Sequence, residues 1–429
     1  MPPISAFADL SISDEIDDTA TTGENPKVKT SSKKKNRTAG NKRSHGKDTT
    51  MTKTVYFSQF HHASISHMRD EPDALMKDVS EAALYVDDKL FTDVNRETRS
   101  DVMPILKSDI SSLRDSSGFQ KSEIKKKYRG ADLYKDLDQF QLMDPTLLDS
   151  VVPCMEYIKT LRDNDGESHS EDEITIVSAR HHIVDIGMSL FNLYAKTDTS
   201  ILCAYTKSGY LIFHEDASKT DNSEQGVNSK DPMLRTICMS GFAFEDLVTE
   251  HRDSKSPVFS VVKGKINSKI NLLLRCEIDA YNTELDIYTE LKCYSSLRIT
   301  NSNHRKKLLR TWLQTGLCPP SDIVIGIRNS SDGILHDVCG YSRSDLYHYY
   351  NNPYLRVLDK DFNYNTNIAV QWTHFCLKSI RKLVLDLVDR GNDSCQPFQV
   401  TIDKRHNIHV RKLKNIPAKF QIDQYAEYL

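Results

Sequence analysis

Between residues 55 and about 417 apolar and aromatic side chains recur at even density, and their spacing switches between two periods. Alternating or short continuous apolar runs at 173–178, 200–214, 258–262, 270–281, 287–294 and 322–328 predict β-strands, because successive side chains on a strand project to opposite faces. An amphipathic stretch at 183–194 and helical spacing at 303–317 and 367–388 predict helices between them. The helix at 303–317 opens on asparagine caps and ends near Gly316. Its buried stripe is Leu308, Leu309, Trp312 and Leu313, with Lys307, Arg310 and Gln314 on a neighbouring polar face. Strands and helices mixed in this order, with several hairpins and no internal repeat, predict a mixed α/β (α+β) fold.

The polar stretches 162–172 and 215–231 read as surface loops. Residues 1–50 differ in kind. An acidic start gives way to a Ser/Thr/Lys segment with Lys33, Lys34, Lys35, Arg37, Lys42 and Arg43, and Phe7 is its one aromatic residue, so it reads as a disordered tail. The basic run fits a nuclear-import signal, a loose RNA tether, or a plain solvated tail. The expected organisation is therefore a tail over 1–50 and a single domain over 51–420.

Composition narrows the function. Hydrophobic residues make up 38% of the 429, and mean hydropathy is −0.53, consistent with part of the length being unpacked. Fifty-seven Lys and Arg against 60 Asp and Glu give a formal charge of −3, so nucleic acid is not held by bulk charge and any such site must be local. No run approaches the roughly 20 apolar residues of a membrane span, and no signal core is visible, which predicts a soluble intracellular protein with no membrane partner. Nine cysteines without a CxxC pair read as reduced, partly buried thiols.

The chemistry concentrates in one stretch. Residues 272–281 and 287–294 read as two strands of a hairpin, with Glu277 and Asp279 projecting together on the first and Glu290 and Lys292 on the second, while Ile278 and Leu291 face a core. Three carboxylates and a lysine gathered there are costly without a counter-ion. Hard divalent cations such as Mg²⁺ and Mn²⁺ prefer carboxylate oxygens, and an acid followed by Glu-x-Lys is the layout with which metal-dependent phosphodiesterases activate water. A solvated charged hairpin yields the same letters. The cationic helix that follows is suited to a phosphate backbone. Upstream, Glu245 follows Gly241, Phe242 and Phe244 and is either a fourth acid at the metal or an acid at a helix start. Arg180, at a strand end, is a candidate phosphate clamp; His181 and His182 occupy adjacent strand positions facing opposite sides, which argues against a shared metal. No Walker loop, GxGxxG, HExxH or GxSxG is present.

Taken in order, Arg180 after a strand, the Gly-hydrophobic-x-hydrophobic-Glu motif at 241–245, Glu277-x-Asp279, Glu290-x-Lys292 and Gln314 make the chain resemble the DXO family of decapping exoribonucleases, over about residues 55–415. Around 180–185 and 301–305 it looks most like the fungal cytoplasmic branch. The resemblance implies a two-sheet α/β nuclease core related to the PD-(D/E)xK exonucleases. It implies one or two Mg²⁺ or Mn²⁺ ions on Glu245, Asp279, Glu290 and the backbone oxygen of Leu291, with Glu277 holding a metal-bound water. Lys292 and Gln314 would contact the reacting phosphate, Arg180 would grip the RNA 5′ end, and Ser260 would line the substrate channel. His181 stands where many members have Gly, which narrows the expected pocket. The implied activity acts on RNA 5′ ends, capped or 5′-monophosphate: removal of incompletely methylated caps with release of the cap dinucleotide, and distributive 5′-3′ exoribonuclease action. NAD-cap removal varies within the family, and this branch generally lacks the pyrophosphohydrolase step. The resemblance favours the cytoplasm, whereas the basic run allows the nucleus. Two other readings use the same letters: a DNA exonuclease of the same chemistry, and a non-catalytic partner of a larger 5′-3′ exoribonuclease.

Overall fold

Strands that are apolar on both faces need cover on both sides, and here the cover comes in layers. The structure is a computed structural model that describes residues 51–61, 73–135, 150–164, 173–191, 198–216, 228–250, 256–298, 301–350, 365–391 and 395–415. The predicted tail and most of both polar loops lie outside the described residues.

In chain order the strands are β1 (Thr52–Val55), β2 (Lys77–Val86), β3 (Lys89–Phe91), β4 (Ile174–Ala179), β5 (Thr199–Tyr205), β6 (Tyr210–Glu215), β7 (Phe259–Asn267), β8 (Ile270–Glu277), β9 (Ala280–Asn282), β10 (Ile287–Tyr294), β11 (Ser321–Arg328), β12 (Leu335–Ser342), β13 (Gln396–Ile402) and β14 (Ile408–Lys412). The helices that frame them are α1 (Arg96–Val102), α2 (Gly118–Tyr128), α3 (Val152–Asn164), α4 (Arg180–Met188), α5 (Pro232–Val248), α6 (Ser302–Thr315), α7 (Arg343–Tyr350) and α8 (Thr366–Leu385).

Ten strands form a large sheet in the order β1-β14-β13-β5-β6-β4-β8-β7-β2-β3, and four form a small one in the order β12-β11-β10-β9. β4 runs parallel to β6 and β8, and β10 runs parallel to β11 with α6 as the crossover. Alternation along the central strands sorts their side chains between cores. Ile174 and Ile176 of β4, with Leu272 and Leu274 of β8, join the main core with residues of α4, α6 and α8. Val177 and Leu273 point the other way, into a second core under α3. A third core lies on the far side of the small sheet, where Phe244 and Val248 of α5 meet Leu291, Val324 and Val338. Gly326 of β11 is required there, since a Cβ would stand 2.6 Å from the Phe244 ring. Among the described residues no helix is long and apolar enough to cross a membrane.

The expected hairpin is corrected in one respect. Residues 272–281 are not one strand: β8 ends at Glu277 inside the large sheet, paired with β7 and β4, and the chain then changes sheets. Ile278 donates its N–H to Val258 O at 3.0 Å at the crossing point. Only the short β9 forms the antiparallel hairpin with β10, through a turn in which Asp286 has φ 53°. Glu277 therefore ends one sheet, and Asp279 stands just before the first strand of the other.

Candidate active site

β4 ends at Ala179 and the chain turns directly into α4, which sets Arg180 as the first helical residue at the C-terminal edge of the large sheet. Opposite it, Tyr288, Glu290 and Lys292 share one face of β10 by strand alternation. The two elements meet in a buried ion cluster. Arg180 Nη1 donates to Glu290 Oε2 at 3.0 Å and Nη2 lies 3.5 Å from Oε1, a forked contact. Lys292 Nζ is 2.6 Å from Glu290 Oε1 and 3.8 Å from Asp279 Oδ2. The Leu291 N–H donates to the same Asp279 oxygen at 2.8 Å. Burial first, then the neighbouring Glu290, push the Asp279 carboxyl up to about 6 against the opposing pull of Lys292, the Leu291 N–H and Arg180.

Arg180, Asp279, Glu290 and Lys292 are thus brought together as expected. The full ligand set is not closed: no three His, Cys, Asp or Glu side chains among the described residues converge as a ready cage. Glu277 is buried at the end of β8. Glu245 is buried in the last turn of α5, whose N-cap is Asp231, so the helix-start alternative for this acid is wrong. The motif around it packs the helix: Phe242 and Phe244 are its buried anchors.

Other expectations shift as well. His181 and His182 lie on α4 rather than a strand, so the opposite-face argument does not apply to them; their rings are 4.1 Å apart. Arg310 is tied to Asp185 at 2.7 Å. Gln314 does not share a polar face with it. It is 1% exposed, and neither its amide oxygen nor its nitrogen has a hydrogen-bond partner. Helical spacing cannot see that α6 is covered by α4 on this side as well as by the core. Ser260 is fully buried and donates to Glu81 Oε1 at 2.5 Å, so it lines no open channel.

Two residues escaped the sequence reading. Cys318 accepts a hydrogen bond from Arg180 Nη1 at 3.0 Å, and its thiol is drawn down by the hydrogen bond from Cys276, against burial, with Arg180 helping. Glu81 of β2 gathers Ser260, Tyr288 and Arg99 around one carboxylate. Its one signal in the sequence is an acid immediately before Ala82, Ala83 and Leu84, inside a strand.

The donor set fits a hard divalent cation. The buried carboxylates of Asp279 and Glu290, the first raised by burial and by the second, would be stabilised by a shared cation, and the unpaired buried Gln314 amide is of a type that suits a phosphoryl oxygen.

A family model described as RAI1-like PD-(D/E)XK nuclease matches residues 106–426. The chain is 39% identical over 377 residues to Decapping and exoribonuclease protein 1 of Saccharomyces cerevisiae, covering 86% of this chain and 84% of that protein. The crystal structure of Kluyveromyces lactis Dxo1 in complex with manganese superposes with a TM-score of 0.67 at 26% identity, over 86% of this chain and 99% of that one. Candida albicans Rai1 in complex with pU5 and Mn²⁺ has the same fold, with a TM-score of 0.59 at 16% identity over 83% and 98% of the two chains.

Proposed function

The chain belongs to the RAI1-like PD-(D/E)XK nuclease family, and from that premise we propose that it hydrolyses phosphodiester bonds at RNA 5′ ends. It removes incompletely methylated caps as the cap dinucleotide and degrades 5′-monophosphate RNA distributively from the 5′ end. The observation that carries this reading is the buried cluster in which Glu290 is gripped by both Arg180 and Lys292, with Asp279 sharing Lys292.

Glu245, Asp279, Glu290 and the Leu291 carbonyl would hold one or two divalent cations, Mg²⁺ or Mn²⁺. When bound, such a cation supplies Lewis-acid polarisation of the phosphoryl oxygen and a nucleophile at neutral pH. With a cation balancing the carboxylate charge, Arg180 and Lys292, which pair with Glu290 here, would be available to the substrate. Arg180, with its planar fork, takes the terminal phosphate oxygens, and Lys292 faces the charge that builds on the reacting phosphate. Gln314 donates its unpaired amide to the same phosphate, and Glu277 orients the attacking water. Burial of the cluster makes each of these contacts stronger than it would be in bulk water.

The test is incubation of the full chain with 5′-monophosphate, triphosphate, unmethylated-cap and methylated-cap RNAs, and with a matched 5′-phosphorylated DNA, in Mg²⁺, Mn²⁺ or EDTA. Metal-dependent loss of the monophosphate RNA and release of a cap dinucleotide from the unmethylated-cap RNA are expected. Survival of all four RNAs, or preferential cleavage of the DNA, would overturn the reading. We place this action in the cytoplasm, supported by the likeness to the fungal cytoplasmic branch; nuclear retention of the tagged protein on fractionation would contradict it.

A further inference from the structure

At the opposite ends of β4 and β8 from Arg180 and Glu277 lies a cavity of about 710 Å³, within the size range of small-molecule sites. Thr175 in its lining stands five positions before Arg180, roughly 16 Å along the strand. Its floor is the α3 side of the large sheet, with Tyr210, Asn271, Leu273, Lys263 and Lys265, and its wall is Tyr157, Ile158 and Leu161 of α3.

The lining has four chemical parts. Lys263 and Lys265 sit two apart on β7, so both ammonium groups leave the same face, about 7 Å apart at the backbone. Both are exposed, and neither has an ion-pair partner among the described residues. Tyr157 and Thr175 are each 8% exposed, yet neither hydroxyl has a hydrogen-bond partner there, and the Asn271 amide has none either. Hydroxyls without a protein partner that open onto a cavity can donate to and accept from a ligand that enters it. Ile158, Leu161 and Leu273 supply an apolar, flat-walled remainder beside the Tyr157 ring. The fourth part is acidic: Asp78 and Glu173 also line the cavity.

This mixture discriminates among ligands. Two lysines suit one phosphate, whereas a polyphosphate would meet the two carboxylates. Carboxylates accept hydrogen bonds from a vicinal ribose diol. A tyrosine ring with aliphatic neighbours takes the face of a base, and an asparagine amide can read a base edge. We propose that this cavity binds a ribonucleoside monophosphate unit, either a free nucleotide or a nucleotide within an RNA chain. The site is separate from the catalytic cluster and does not depend on the reading of that cluster.

The test is calorimetric titration of the full chain in EDTA with AMP, dAMP, inorganic phosphate and a 5′-hydroxyl RNA oligomer. AMP is expected to bind more tightly than dAMP or phosphate. Tighter binding of AMP than of the oligomer identifies a free nucleotide, and the reverse identifies an RNA chain. The surface variant K263E/K265E should weaken binding at least tenfold, the conservative Y157F should weaken it several-fold, and E290Q should leave it unchanged. Equal binding by wild type and K263E/K265E, loss of binding in E290Q, or no binding of any probe at millimolar concentration would each overturn the proposal.

Discussion

Two buried carboxylates, one on each sheet, are furnished in opposite ways. Glu81, on β2 of the large sheet, accepts from Ser260 Oγ at 2.5 Å, from Tyr288 Oη at 2.6 and 2.8 Å, and from Arg99 Nη2 and Nε at 3.0 and 3.2 Å. Glu290, on β10 of the small sheet, is met by the two cations Arg180 and Lys292, with a second acid, Asp279, sharing Lys292. The first carboxylate is saturated by neutral hydroxyls and one guanidinium, and burial together with Glu81 keeps the Tyr288 phenol firmly protonated. The second is buried beside like charge, and burial first, then Glu290, raises the Asp279 carboxyl to about 6. A saturated acid holds a fold; an acid whose partners are two cations and another acid is suited to exchanging those partners. Only Thr289 separates Tyr288 from Glu290 on the same strand, so the strut at Glu81 fixes the register in which the reactive pair is presented.

The comparison is broken most severely at the reactive pair. Glu290→Ala or Asp279→Ala should reduce RNA cleavage on the order of 10³-fold or more while leaving the protein folded, because each removes like charge from the cluster along with a ligand. Turnover within a few fold of wild type, measured with 5′-monophosphate RNA and Mn²⁺, would remove these residues from the chemistry. At the strut the expected loss is of stability. Glu81→Ala leaves the Ser260 and Tyr288 hydroxyls without their carboxylate acceptor and Arg99 with Asp286 as its remaining carboxylate partner among the described residues, and should lower the unfolding free energy in urea by about 3–5 kcal/mol. An unchanged midpoint would show that the strut is not structural.

The smallest effect calibrates what an ordinary satisfied carboxylate does. Asp403, in the turn between β13 and β14, is raised by burial but lowered more by hydrogen bonds from His409, Asn407 and the backbone N–H groups of Asn407 and Arg405, to about 2. A depressed carboxyl stabilises the fold above its ordinary value of 3.8 and loses that contribution as pH falls through the folded value. Wild type should therefore lose stability relative to Asp403→Asn between about pH 4 and pH 2, and parallel denaturation curves over that window would contradict the assignment.

The acid motifs were legible because they alternate with apolar residues on well-formed strands. Glu290 and Lys292 fall on one face of β10, and Ile278 and Leu291 are buried, as alternation predicts. Alternation reports two faces of a strand but not which sheet the strand joins, so the change of sheet between Glu277 and Ala280 was invisible. Helical spacing has the same blind spot. It placed Gln314 beside Lys307 and Arg310 without showing that neighbouring elements bury the amide, and it could not tell the first from the last turn of the helix that carries Glu245. Glu81 and Cys318 depend wholly on long-range partners, 179 residues away in the hydrogen bond to Ser260 and 138 in the one from Arg180, and nothing local announces them.

The difference between the two carboxylates is tested most directly by titrating Mn²⁺ into the metal-free full chain and into its Glu290→Gln and Glu81→Gln variants, following heat and the shift in melting temperature. The account predicts saturable binding with a rise in melting temperature for wild type and for Glu81→Gln from its lower baseline, and loss of both signals for Glu290→Gln. Equal Mn²⁺ binding by Glu290→Gln and wild type would contradict it, because the crowded pair would then not be the cation site.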